Sequence, residues 1–482
     1  MILSKNEPKR VFHHFEAISQ IPRGSGNEKA VSDFIAAFAK ELGLKYVQDA
    51  SNNLVIYKPG TSGYEDSPPV ILQGHLDMVC EKNEGTIHDF LKDPIKLYVN
   101  GDYLKARGTT LGADNGIAVA YCMTLLEADD ISHPPLEVVL TTDEEAGMTG
   151  ATNLDAELLN GRQMVNLDSG KVGLFTAGSA AAITAEYNLP IEWETPKGAV
   201  EACAITVKGL HGGHSGMDIA KERGNANRIL GVLLDALCRA GDIRVANISG
   251  GMKVNAIPRE AKALITITPT DKENLQAAFE KCAATLAMFF RVADPGLTVT
   301  LEPTAPIKKV MSRDCGQKLI ASLLLLPCGV QTMSKDMDNL VAASCNIGVV
   351  ETLADTVKIT CMARGAYSEH NSHTEDKISA LARITGAQTE FVDRSPAWPF
   401  NPDSKILKKF ASYYEKHSGE APKIEAVHAG LECGIFADKL PGLDIVAVGP
   451  NLYDLHTPEE RLSISSTETI WTFLCGVLGE MK

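Results

Sequence analysis

The stretch Val70-Ile-Leu-Gln-Gly-His75-Leu-Asp77 constrains this chain more than any other. An apolar run of strand type stops at a glycine, then presents His75 and Asp77 two residues apart. In extended backbone, residues i and i+2 share a face. A metal-binding imidazole needs its second ring nitrogen held, and a carboxylate is the usual holder. His75 is therefore a candidate ligand and Asp77 its orienting partner. The pattern recurs. Residues 136–142 form another apolar, β-branched run, ending in Asp143-Glu144-Glu145-Ala-Gly147. Gln163-Met-Val-Asn-Leu-Asp168 is a third, and Leu443-Asp-Ile-Val-Ala-Val-Gly-Pro450 a fourth, with His456 shortly beyond. Between the first two, residues 107–116 read R-G-T-T-L-G-A-D-N-G, with Asp114 just ahead of an apolar helix. Open α/β sheets bind ligands beyond the carboxyl ends of their strands. Here several such ends deliver an acid or a histidine.

Around these strands the texture is α/β. Residues 9–20 and 29–42 read as amphipathic helices, 46–49 and 53–57 as short strands, and 115–127 as a helix. Asp114 also has the chemistry of a helix N-cap. After about residue 187 strands come in runs, at 202–208, 252–257, 261–268, 297–301, 349–351 and 357–362, with a hairpin turn at Asp355. Helices at 226–239, 272–290, 313–326 and 377–384 interleave with them. A Pro-rich segment, 394–402, then returns the chain to α/β texture with a helix at 404–416. A length of 482 residues exceeds what one core usually serves. The expected organisation is an α/β domain, residues 1–186 and 397–482, with a mixed, mostly parallel sheet flanked by helices. Residues 187–396 are expected to be an inserted α+β domain with an antiparallel sheet.

The formal charge of −15 excludes the basic footprint of a nucleic-acid binder and argues against docking on an anionic membrane. No apolar run reaches the length of a membrane span, and the first ten residues lack a signal-peptide core. The eleven cysteines are odd in number, scattered and never in a Cys-x-x-Cys pair. A reduced cytoplasm is the expected setting.

If His75, Asp114, Glu144, Glu145, Asp168 and His456 converge, the acids repel one another unless a cation compensates. Three carboxylates and two imidazoles, without a thiolate, suit two zinc ions sharing a carboxylate, with Co²⁺ or Mn²⁺ as substitutes. Such a pair activates water and polarises a carbonyl. Glu144, beside a ligand but not needed as one, is the candidate general base. The reaction class is amide hydrolysis.

These residues resemble the di-zinc peptidases of the aminoacylase and carboxypeptidase G2 clan. The resemblance is closest to its dipeptidase branch. It rests on A-R-G-T-T-L-G-A-D-N-G-I, T-D-E-E-A-G-M, K-G-L-H-G-G-H-S-G, N-A-I-P-R-E-A and H-A-G-L-E-C-G, in order over nearly the whole chain. It implies hydrolysis of unblocked dipeptides, Xaa-His among them, and a di-zinc fold whose inserted domain serves as a lid. His75 and Asp168 would bind one zinc and Glu145 and His456 the other, with Asp114 bridging. Asp77 would orient His75 and Glu144 would be the base. From the lid, His214 would reach the carbonyl oxygen, across a homodimer in related proteins. Arg364 and Asn255 would hold substrate, Arg364 its carboxylate. Glu432 would meet a substrate amine, with helix capping an equal explanation. Asp454-Leu-His456-Thr-Pro departs from the Gly-Pro-His-Ser-Pro-like string of the clan. An aminoacylase or a tripeptide-directed peptidase is the alternative within the clan. A non-catalytic metal-binding scaffold is the alternative outside catalysis, and retention of Glu144 speaks against it. His13, His14, His370, His373 and His417 read as surface residues.

Overall fold

In the computed structural model, which describes residues 2–482, the four apolar runs become four adjacent parallel strands. Leu136–Thr141, Val70–His75, Gln163–Asn166 and Asp444–Ala447 lie side by side in that order. Every residue of the first two is buried. Strands covered on both faces lose the polar alternation of half-exposed ones, so they read as unbroken apolar runs. Leu54–Lys58 and Lys45–Gln48 extend one edge antiparallel. Leu174–Ser179 and Lys423–Val427 complete the other, making eight strands in a mixed sheet. From Val70–His75 the chain goes to Leu136–Thr141 on one side, then crosses to Gln163–Asn166 on the other. That reversal makes the carboxyl end of Val70–His75 a topological switch point, where such sheets leave a crevice.

Helix Ala113–Glu127 is apolar on all sides because it is buried on all sides from Asn115 to Leu126. It packs on Val70–His75 and on helix Lys9–Ile18. Phe12, Phe15, Tyr121, Phe410 and Leu474 belong to the same core. Burial of each such side chain contributes about 1.5–3 kcal/mol. His14 is a correction: it is 4% exposed rather than on the surface, edge-on to Phe38 and 3.2 Å from Glu127. A small four-stranded sheet pairs Leu452–Tyr453 with Arg461–Ser463 and the latter with Tyr103–Ala106. It anchors both ends of the loop that carries His456.

The chain divides into two compact units: Met1–Gly178 with Phe400–Ala426 and Leu431–Lys482, and Ser179–Pro399 with Val427–Gly430. The second unit holds a nine-stranded antiparallel sheet. Helices Ala226–Ala240, Lys272–Phe290, Arg313–Leu325 and Ser368–Thr385 accompany it. Strand Ala181–Pro190 pairs along its whole length with Thr356–Gly365, so the boundary expected at residue 187 falls inside a strand. Of residues 252–257 only Ala256–Ile257 is a strand; Met252 lies in a bend and is 96% exposed. The helix expected at 377–384 begins nine residues earlier, at Ser368, because its polar first turns carry no apolar period. Strands Ile243–Gly250, Gly329–Met333 and Gln388–Ser395 add to the expected set. Among the described residues no helix is long and apolar enough to cross a membrane, and all eleven cysteines are free.

Gly74 is the point where sheet and helix meet most closely. A Cβ there would stand 2.5 Å from Asn115 Oδ1 and 2.8 Å from Ala118 Cβ. Gly74→Ala should therefore destabilise the protein by about 1–3 kcal/mol. The check is the urea midpoint; an unchanged midpoint would show that the helix yields freely.

Candidate active site

His75 ends its strand fully buried, with Nδ1 3.2 Å from Asp77 Oδ1 and Nε2 3.3 Å from Asp114 Oδ1. Asp114 caps no helix. Its other oxygen is 3.4 Å from His456 Nε2, which is 3.1 Å from Glu145 Oε2. Asp114 thus offers one oxygen to each imidazole. Donor atoms of His75, Asp114 and Asp168 lie within 4.8 Å of one another, and so do those of Asp114, Glu145 and His456. The two triplets share Asp114. His75, Glu144 and Glu145 form a third group at the same spacing. Asp454, the unusual residue before His456, pairs with Arg461.

The loops that carry these groups are held by Asp77 and by three residues that sequence reasoning missed, Arg23, Glu460 and Asn115. Asp77 accepts from the backbone N–H of Glu144 and Glu145, at 3.0 and 3.1 Å, and from Ser25 Oγ at 2.7 Å. Burial works to raise its pKa, but the hydrogen bond and charge of His75 prevail and bring it to about 2. Arg23, buried, donates to the carbonyls of Leu76 at 2.8 Å, Asp77 at 3.0 Å and Gly112. Glu460, also buried, accepts from the backbone N–H of Leu111, Gly112, Ala113 and Asp114 at 2.7–3.2 Å. Asn115 accepts from His75 N–H at 3.1 Å and donates to Asp168 Oδ1 at 3.2 Å. A Gly-rich loop beside a buried strand end must find partners for its backbone groups. That requirement was the available signal, although it does not say which residue answers it.

The donor set fits a pair of divalent cations. Glu145 Oε1 is buried without a hydrogen-bond partner among the described residues. Burial, then the charge of Asp114, pushes Asp168 well above the usual carboxylate range. Burial pushes Glu144 up to about 8, with Glu432 and Glu145 adding to it against the pull of His75. Hydrogen bonds to Asp114 and Glu145 draw His456 up to about 10. The protein alone therefore keeps protons on these groups, and cations are what release them. Metal uptake near neutral pH should release protons, and affinity should rise as pH climbs from about 6 toward 9. Calorimetry in buffers of different ionisation enthalpy checks this; uptake without proton release would contradict it.

In the second unit, His214 lies on a two-residue strand paired with Ala256–Ile257. Its Nδ1 accepts from the N–H of Gly216 at 3.1 Å and Met217 at 3.0 Å. The ring proton therefore sits on Nε2, which is a donor. Burial, then nearby Arg364, lowers its pKa and keeps the ring neutral. Arg364 is 6% exposed, and no carboxylate pairs with it among the described residues. Its Nε has no partner and its Nη2 faces Met362 Sδ at 3.2 Å. Burial brings its pKa down to about 10. His428, which opens the H-A-G-L-E-C-G string but was not singled out, bonds Ser344 Oγ at 2.7 Å and leaves Nδ1 buried and unpartnered. Burial, then Arg364, lowers its pKa to about 3. Asn255 is an exposed turn residue whose carbonyl accepts from Ser215 N–H at 2.9 Å. Glu432, in the first unit, caps no helix: it is 3% exposed and turned into the sheet, so it offers no open face to a substrate amine.

The model of Peptidase family M20/M25/M40 matches residues 71–480. Cytosol non-specific dipeptidase of Escherichia coli (strain K12) is 36% identical over 479 residues, 99% of each chain. The crystal structure of aminoacylhistidine dipeptidase from Vibrio alginolyticus aligns with a TM-score of 0.93 at 36% identity, covering 100% of this chain and 98% of that one. Aminopeptidase PepT from Bacillus cereus ATCC 10987, with a TM-score of 0.56 and 15% identity over 99% of each chain, shares the fold.

Proposed function

The chain belongs to peptidase family M20/M25/M40, and from that premise we propose that it is a two-metal dipeptidase acting on unblocked dipeptides, Xaa-His among them. The observation that carries the reading is Asp114, with one carboxylate oxygen on His75 and the other on His456. Zinc is the proposed metal, because two imidazoles and three carboxylates form a borderline donor set. The cytoplasm is the proposed setting and a homodimer the proposed assembly.

His75 and Asp168 would hold one cation, Glu145 and His456 the other, and Asp114 both. Bound there, the cations would activate a water and polarise the scissile carbonyl. The remaining work belongs to the chain. Asp77 keeps the proton on Nδ1 of His75, so that Nε2 presents its lone pair. Glu144 takes a proton from the attacking water on its carboxylate and returns it to the leaving amine. Nε2–H of His214 donates to the developing oxyanion. Arg364 receives the C-terminal carboxylate in two hydrogen bonds. A buried guanidinium without an anion supports this, since the ligand supplies the missing charge. Asn255 adds a polar contact to substrate.

Glu144 and Glu145 are adjacent and chemically identical, yet their roles should separate. Glu144→Gln should keep both metals and lose about a hundred- to ten-thousandfold in kcat. Glu145→Gln should lose one metal, with partial rescue by excess Zn²⁺. Mixing Glu144→Gln with His214→Ala chains should restore some activity if the histidine acts across a dimer. Metal content and kcat decide the matter; near-normal kcat in Glu144→Gln would sink the mechanism.

Substrates should carry a free carboxylate. Dipeptide amides, N-acetyl amino acids and tripeptides should be cleaved poorly beside dipeptides, and Arg364→Lys should lose much of the preference for acid over amide. Equal kcat/KM for a dipeptide and its amide would refute the role of Arg364.

A further inference from the structure

One buried carboxylate near the metal ligands has no part in the chemistry above. Glu432 begins helix Glu432–Lys439 and projects into the sheet. Its Oε2 accepts from Gln73 Nε2 at 2.6 Å and from Thr141 Oγ1 at 2.7 Å. Gln73 passes the link on, because its Oε1 accepts from Asn166 Nδ2 at 2.5 Å. Asn166 Oδ1 accepts in turn from the backbone N–H of Asp168 at 3.2 Å. The four side chains are at most 3% exposed. Gln73 and Asn166 are register partners on neighbouring parallel strands. Gln73 stands two residues before His75 on the same strand face, and Asn166 two residues before Asp168. The amide of Gln73 cannot turn over without losing both links, since one end must donate and the other accept.

The other ligands are held differently. Glu145 hangs by its backbone N–H from Asp77, and the N–H of Asp114 from Glu460. Thr141 touches Glu432 but lies four residues before Glu145, and the intervening turn closes on itself through Asp143. The hydrogen-bonded path from Glu432 therefore runs to the backbone of Asp168, through Gln73 on the strand that ends in His75.

We propose that Glu432 is a positioning residue for one metal site alone: through Gln73 and Asn166 it sets the affinity of the His75–Asp168 site and leaves the Glu145–His456 site unaffected. The inference rests on the two-metal reading above. Without the carboxylate, Gln73 Nε2 keeps only the longer bond to Thr141 Oγ1 and Thr141 Oγ1 only that to the Gly74 carbonyl, each 3.3 Å, and the short bonds that fix the Gln73 amide are lost. Asn166 then loses the partner that fixes it beneath Asp168.

The test is Zn²⁺ titration of apoprotein against a chromophoric chelator, in two backgrounds. His456→Ala retains the His75–Asp168 site, and Asp168→Ala retains the other. Adding Glu432→Leu should weaken binding about 10–100-fold in the first background and leave the second within about twofold. Glu432→Gln keeps an oxygen that accepts both hydrogen bonds, so it should stay close to the parent. Should Glu432→Leu fail to fold, Gln73→Leu retains Glu432, cuts the same path and should give the same one-sided loss. Equal weakening in both backgrounds, or none in the first, overturns the proposal. If the wild type takes up fewer than two equivalents, the two-metal reading itself falls, and this inference with it.

Discussion

The buried hydrogen bond between Asp77 and His75 is the interaction on which the rest of the site depends. A carboxylate with 0% exposure needs partners on every side, because an unpaired buried charge is costly. Asp77 finds them in the imidazole it orients, in Ser25, and in the backbone of Glu144 and Glu145. One side chain therefore fixes the direction of a candidate ligand on one strand and the position of the acid pair beyond its neighbour. The apolar strands beneath hold the spacing, since a one-residue slip would turn every side chain to the other face.

The same economy governs the Gly-rich loop that carries Asp114. Its peptide groups lie where water does not reach, so both donors and acceptors must be answered from within. Arg23 answers the carbonyl of Gly112, and Glu460 answers four consecutive N–H groups. Two oppositely charged side chains, from positions 23 and 460, thus clamp one loop. A bridging ligand must present both oxygens in fixed directions, and a loop free to move would present one at a time.

The candidate ligands were legible because each is a chemically rare residue at or near the end of an apolar run, and the sheet brings such ends together. Arg23 and Glu460 were not, because they serve backbone groups, which have no letter in the sequence. Glu432 was legible as a residue of interest but not in its direction: a helix-start acid reads as a substrate contact or a cap until the fold shows it pointing inward. The start of the second unit was misplaced for a related reason. Strand Ala181–Pro190 opens with three alanines in five residues, Ala181-Ala-Ile-Thr-Ala, which weaken its strand signal until the partner strand is known. Residues 252–257 erred the other way, since Val254 suggests a strand that the turn preceding Ala256 prevents.

The two units also differ in charge where their functional residues lie. In the first, acids outnumber imidazoles, and burial holds protons on the excess until cations arrive. In the second, a buried guanidinium lies near two neutral imidazoles: His214 has its proton fixed on Nε2 by two backbone N–H groups, and His428 is kept neutral by burial and by Arg364. On the proposed mechanism, neutrality is what suits the His214 imidazole to its role. A protonated ring beside Arg364 would add repulsion in the unliganded protein, whereas a neutral donor adds a hydrogen bond only when an oxygen arrives to accept it. On the proposed substrate role, the unpartnered Nε of Arg364 and Nδ1 of His428 are groups whose partner would be the ligand. A fold that left them orphaned for no purpose would forgo about 1–3 kcal/mol of stability for each.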